Sequence, residues 1–199
     1  MKLEVRAAET GDLPQIKRLI DNCISRDFYS LEELGGMIRN EDDLLYVTAD
    51  ADRDGMVVSY FYAFLSTLDE ALRVLHVQGK PGMLQKYTGN ERVGVYKTSS
   101  TDPDYRNRGI FSAFMADLQP VLRSKGAEMI VNTALRPLGR EIPILNILRN
   151  TGFVPITTVY RPWAEKKGYC PYCKRDYCIC DAVLYVKEFS GKGGGALHG

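Results

Sequence analysis

The chain has 199 residues, 45% of them hydrophobic and 26% charged, with a formal net charge of +1. That composition predicts one soluble domain with a sizeable core. It excludes a global field that would recruit nucleic acid or a membrane surface, and no apolar run approaches the ~20 residues of a membrane span.

The N-terminal MKLEVRAAETGDL carries charges throughout and lacks the apolar core of a signal peptide, so the expected compartment is the cytoplasm. Residues 3–6 alternate and predict a first strand. Asp12 is the expected N-cap of a helix whose apolar face is Leu13, Ile16, Leu19 and Ile20, with Pro14 tolerated in its first turn. Cys23 lies at the end of this helix and reads as a buried or half-buried free thiol. Ser30 and Glu33 form a capping box for a second short helix. Residues 44–48 and 56–66 predict an antiparallel hairpin turned at Asp54-Gly55. Its second strand places Tyr60 and Tyr62 on one face and Phe61 on the other.

Residues 67–92 are a long connection containing a short helix over 68–75 and a Gly-Lys-Pro-Gly turn. The segment reads equally as plain scaffold or as a functional loop, and His76 within it as a packed histidine rather than a base. Residues 93–101 then predict a strand, broken by Asp102-Pro103. From Ile110 the apolar residues Ile110, Phe111, Phe114, Met115 and Leu118 trace a helical stripe. Between them lies Arg106-Asn107-Arg108-Gly109. Such a loop offers free N–H groups, the positive end of a helix and two guanidiniums, which together suit an anion. Gly109 keeps a Cβ from standing between backbone and phosphate.

Residues 105–111, Tyr-Arg-Asn-Arg-Gly-Ile-Phe, resemble the R/Q-x-x-G-x-G/A signature of the GNAT acyltransferases, with Phe111 departing from the small residue at its last position. In that family the loop grips the pyrophosphate of acetyl-CoA and the preceding strand aligns the pantetheine arm. The resemblance therefore implies cofactor contacts at Ser99, Ser100, Thr101, Arg106, Asn107, Arg108, Gly109, Ile110 and Phe111. The opening of the chain, a strand followed by Ala8 to Leu13 and a helix, also resembles the start of GNAT domains.

Residues 128–133 predict a strand that returns parallel to 93–101 through the intervening helix. In GNAT folds these two strands splay and the acyl arm lies between them. That places Asn132 within reach of the pantetheine amides, unless it is only a strand-end turn residue. A helix over 143–149 closes in Gly152-Phe153, a second feature shared with the family. Many members carry a tyrosine four residues before this glycine as general acid, where this chain has Leu148. Asn146 is polar on that helix and within reach of the cofactor by this reading. Tyr160, on the following strand, is the remaining candidate acid. No general base is identifiable from the sequence.

The last two strands, 153–163 and 182–189, enclose an insert at about 164–181 with Cys170, Cys173, Cys178 and Cys180 in the pattern C-x2-C-x4-C-x-C. In a cytosolic chain with five cysteines such a cluster speaks for metal or catalysis rather than disulfides. Four thiolates satisfy tetrahedral Zn²⁺, and a metal would supply the folding energy that so small an insert lacks. Cys-Pro-Tyr-Cys also matches the glutaredoxin redox motif, and four cysteines equally suit an iron–sulfur cluster. Residues 190–199, which include His198, read as a flexible tail.

The expected architecture is α/β: a mixed, centrally splayed GNAT-like sheet over residues 1–189 with a zinc knuckle in its last hairpin. The implied reaction is acetyl transfer from acetyl-CoA to the amine of a small molecule or protein. The alternative is a zinc-bearing module that binds CoA or RNA. For it speak the basic Arg161, Lys166, Lys167, Lys174 and Arg175, interleaved with Trp163, Tyr169, Tyr172 and Tyr177.

Overall fold

The computed structural model describes residues 2–26, 28–165 and 167–189. The expected tail at 190–199 and the lysine at 166 lie outside them, as does the side chain of Lys167. Strands β1 (Leu3–Ala7), β2 (Asp43–Asp50), β3 (Met56–Thr67), β4 (Arg92–Thr101), β5 (Met129–Arg136), β6 (Val154–Val159) and β9 (Asp181–Glu188) form a seven-stranded sheet. Its order is β1-β2-β3-β4-β5-β9-β6, and only the β4–β5 pair is parallel. Two short strands, β7 (Lys167–Cys170) and β8 (Arg175–Tyr177), pair separately in the insert.

Helices α1 (Leu13–Cys23) and α2 (Leu31–Arg39) cover one face of the sheet, where Ile16, Leu19, Ile20 and Leu34 pack on Val47, Val57 and Tyr60. Helices α4 (Ile110–Ser124) and α5 (Leu145–Asn150) cover the other through Phe114, Leu118 and Leu148 against Phe61, Tyr96 and Tyr185. Both faces of β3 are thus buried, which explains its aromatic content: Tyr60 and Tyr62 serve one layer and Phe61 the other.

The caps follow the side-chain chemistry. Ser30 Oγ accepts from Glu33 N at 3.1 Å, while Glu33 returns a carboxylate to Ser30 N at 2.7 Å. Asp54 and Gly55 both take the left-handed backbone that a tight hairpin turn demands. Asp12 behaves differently from a simple N-cap. Its carboxylate turns back to accept from Glu9 N at 2.8 Å and from both terminal nitrogens of Arg6, at 2.6 and 2.9 Å. Burial works against the charge, but the Arg6 guanidinium and the Glu9 N–H hold this carboxyl below the usual carboxylate range. Asp12→Ala is expected to cost about 2–3 kcal/mol, measured by urea unfolding. The stabilisation is present in full above the unfolded carboxyl pKa of about 3.9 and is lost as pH falls through the lower folded value.

The long 67–92 connection packs on the sheet. Helix α3 (Leu68–Val74) and the 3-10 turn Gly82–Lys86 bury Leu68, Leu72, Leu75 and Leu84 on Val93, Val95 and Val131, the sheet face opposite α4. The packed-histidine reading fails: His76 is exposed just after α3 at φ 59°. Strand β6 also ends earlier than expected, at Val159, which leaves Tyr160 beyond it.

Candidate functional site

Parallel pairing between β4 and β5 stops at Tyr96 and Asn132. Beyond that point β4 stays with β3 and β5 stays with β9, so the strands diverge into a V. Asn132 sits at its apex, donating from Nδ2 to Tyr96 O at 2.9 Å, while its Oδ1 is buried without a partner. A buried unpaired acceptor costs about 1–3 kcal/mol, which an incoming amide N–H would relieve. Past the apex, one edge of β4 faces a cavity of about 1080 Å³ rather than a strand.

A bulge shapes that edge. Tyr62 lies opposite Thr98 and Ala63 opposite Tyr96, which leaves Lys97 as the extra residue. Bulges re-aim side chains and interrupt backbone pairing. Lys97 Nζ reaches Val74 O at 3.0 Å, and Thr98 shares the α1–α2 face with Tyr62. The hydroxyls of Tyr29 and Tyr60 stand beside Thr98, and all three oxygens are buried without a hydrogen-bond partner of good geometry. Burial pushes the Tyr29 phenol up to about 12 and that of Tyr60 higher still. Sequence periodicity carries no sign of this trio, because the bulge that turns Thr98 toward the tyrosines is a tertiary feature.

The Arg106 to Phe111 loop closes the other end of the V. Asn107 and Gly109 both adopt positive φ, 60° and 77°. The first helical bond runs from Ala113 N to Gly109 O at 2.9 Å, so the N–H groups of Ile110, Phe111 and Ser112 have no intrahelical acceptor. A Cβ on Gly109 would meet nothing within 4 Å, so the space in front of it is open. Arg106 Nε donates to Thr101 O at 3.2 Å, and the Arg108 guanidinium lies 5.2 Å from the Tyr105 ring centre. Phe111 breaks the signature without obstructing the loop, because its ring packs back on Phe61 at 5.6 Å.

Ser99, Ser100, Thr101, Arg106, Asn107, Arg108, Gly109, Ile110, Phe111 and Asn132 therefore line one cavity. Thr101 Oγ1 and Ser100 O are engaged by Ser59 Oγ, at 2.8 and 2.9 Å, so these two shape the strand rather than offer free groups. Asn146 and Tyr160 are not brought there. Asn146 is exposed on the face of α5 away from the cavity, which Ile144 and Ile147 wall instead. Tyr160 is 80% exposed, because β6 stops one residue before it. Tyr160 does not line the cavity. Leu148, at the family's tyrosine position, is fully buried in the core.

The third wall is built by the α1–α2 loop and the cysteine insert. Cys23, Ser25, Arg26 and Phe28 line it from one side, and Trp163, Tyr169, Cys170 and Tyr172 from the other. Gly168 lets them meet: at φ 142°, a Cβ there would sit 2.3 Å from Ser25 Oγ. Within the insert, the sulfurs of Cys170, Cys173, Cys178 and Cys180 lie within 4.8 Å of one another. Zn–S bonds of about 2.3 Å put sulfurs about 3.8 Å apart in a tetrahedron, so the donor set fits one metal ion after a small contraction. The insert's core is little more than those sulfurs with Leu135 and Trp163. All four thiols converge, and Cys170 ends a strand rather than opening a helix. Both facts favour a four-thiolate centre over a two-cysteine redox motif, which needs a helix N-terminus to lower its first thiol. Burial pushes Cys180 up to about 11 and Cys178 further as metal-free thiols.

No protein-family model and no curated protein matches this sequence. The three-dimensional comparison gives the fold. The chain is similar to the ribosomal-protein-S18-alanine N-acetyltransferase of Escherichia coli, at TM-score 0.63 and 14% identity over 99% of this chain and 100% of that one. It is similar to Arabidopsis thaliana NAA60 in complex with acetyl-CoA, at TM-score 0.70 and 12% identity over 96% and 100%. Chaetomium thermophilum Naa20 in complex with a bisubstrate analogue gives TM-score 0.67 and 13% identity over 93% and 86%. The fold is that of the GNAT N-acetyltransferases. The cysteine cluster sits in the C-terminal hairpin of that fold. These neighbours lend no support to the RNA-binding alternative. Among the described residues no helix is long and apolar enough to cross a membrane.

Proposed function

We propose that the protein transfers the acetyl group of acetyl-CoA to an amine, and that one Zn²⁺ held by Cys170, Cys173, Cys178 and Cys180 is structural. The observation that carries this reading is the single cavity that runs from the Gly109 loop, past Asn132, to the Tyr172 wall. Its parts divide the work. The N–H groups of Ile110, Phe111 and Ser112, with Arg106 and Arg108, hold the pyrophosphate. The free edge of β4 and Asn132 Oδ1 bond the pantetheine amides. The backbone at the Lys97–Thr98 bulge supplies the candidate N–H donors to the thioester oxygen as charge develops on it. Solved structures of this fold that hold acetyl-CoA, or CoA with a peptide, support the assignment.

The amine must attack in its neutral form, form the new C–N bond as the C–S bond breaks, and lose one proton. Among the described residues no Asp, Glu or His lines the cavity. Thr98 lines the cavity with Tyr29 and Tyr60 behind it, and three buried hydroxyls in one place suit a bound water that takes up the proton. Thr98→Val is expected to lower kcat about tenfold or more with little change in the KM for acetyl-CoA. Tyr160→Phe, at an exposed position, is expected to leave kcat unchanged. Free-thiol release from acetyl-CoA, followed across a panel of amines, peptides and RNA, tests the activity itself. Thiol release no faster than background hydrolysis with every acceptor would reject it.

A further inference from the structure

Helix α5 has two faces, and each walls a different cavity. Ile147, with Ile144 just before the helix, faces the acyl cavity, whereas Leu145 and Arg149 face a second, wide-open cavity of about 500 Å³. Strands β6 and β9 and the connection from β5 complete it, and Ile142, Leu145 and Val183 give it an apolar floor.

Its rim is cationic. Arg136, Arg140 and Arg149 line it, against one carboxylate, Glu141. Arg136 is held on one side by Asp181, at 3.1 Å. The guanidiniums of Arg140 and Arg149 make no hydrogen bond or ion pair with any described residue. Tyr185 lies deepest, only 3% exposed. Among the described residues nothing hydrogen-bonds its hydroxyl, which lies within electrostatic reach of both Arg149 and Arg136. Three guanidiniums and a phenol O–H therefore line one cavity, and the two nearby carboxylates, Asp181 on Arg136 and Glu141 at the rim, leave the donors in excess.

We infer that this second cavity binds a small multivalent oxyanion, a phosphate ester or a dicarboxylate. Guanidinium forks engage paired oxygens of carboxylate or phosphate, and the Tyr185 hydroxyl adds a neutral donor at the inner end. The excess of positive charge at the rim opposes a cationic ligand. The site is independent of the acetyl-transfer reading, since it shares no residue with the acyl cavity.

Isothermal titration with inorganic phosphate, pyrophosphate and succinate tests the inference. It is run at low salt, with and without saturating CoA, so that an anion held at the Gly109 loop is displaced. At least one of these anions is expected to bind CoA-saturated protein, and whether the phosphates or succinate bind tighter separates the two ligand classes. The Arg140→Ala, Arg149→Ala double variant is expected to weaken that binding at least about tenfold, the loss of two charged hydrogen-bond donors. Arg18→Ala, which removes an exposed arginine from α1, is expected to stay within about twofold. Both arginines of the double variant are exposed, so folding is not at risk, and circular dichroism checks it. No binding of any of the three anions, or equal binding by the double variant, would overturn the assignment.

Discussion

Replacing Gly109 with Asp is expected to weaken CoA binding by about 30- to 10³-fold, or roughly 2–4 kcal/mol, without unfolding the protein. Two effects add. Gly109 holds φ at 77°, a conformation that costs a residue with a Cβ about 1 kcal/mol or more. The added side chain then enters the open space in front of the Ile110, Phe111 and Ser112 N–H groups and sets a carboxylate against the pyrophosphate. Gly109→Ala separates the terms, since it keeps the strain and the Cβ but adds no charge. Titration calorimetry with CoA reads both. If Gly109→Asp bound CoA as tightly as the parent, the phosphate would not sit on this loop.

The second large effect is expected at the cysteines. Purified protein should carry about one zinc per chain, and Cys173→Ser or Cys178→Ser should lose it. With so few apolar side chains packed around the sulfurs, the insert is expected to unfold locally when the metal leaves. Its strand β7 lies against Ser25 of the α1–α2 loop, and Cys170 and Tyr172 line the acceptor wall. Metal loss should therefore raise the KM for the acceptor more than the Kd for CoA, whose phosphate loop is built from β4 and α4. Elemental analysis, with the two constants measured before and after chelation, checks both parts. An iron chromophore would replace zinc by a cluster. Metal-free protein in which Cys170 and Cys173 cycle reversibly as a dithiol, near −200 mV, would reject the metal centre altogether.

Local chemistry made much of the molecule legible in one dimension. Asp54-Gly55, the Ser30/Glu33 box, the stripe from Ile110 and the Arg106–Gly109 loop act over a few residues, so their geometry is written where they stand. The cysteine spacing is equally local, and all four thiols converge. What depended on register was not legible. A strand that ends at Val159 instead of running on to 163 puts Tyr160 in solvent, and a six-residue helix turns Asn146 away from the cavity. One extra residue in β4 turns Thr98 toward two tyrosines from other parts of the chain. The period of a strand is two, so a shift of one residue exchanges its faces at almost no local cost, and only the packing of α1, α2 and β3 decides between them. The sequence alone determined which residues make the loop, the helices and the thiol cluster. The tertiary structure alone decided which of them share the cavity, because that depends on where β4 and β5 part.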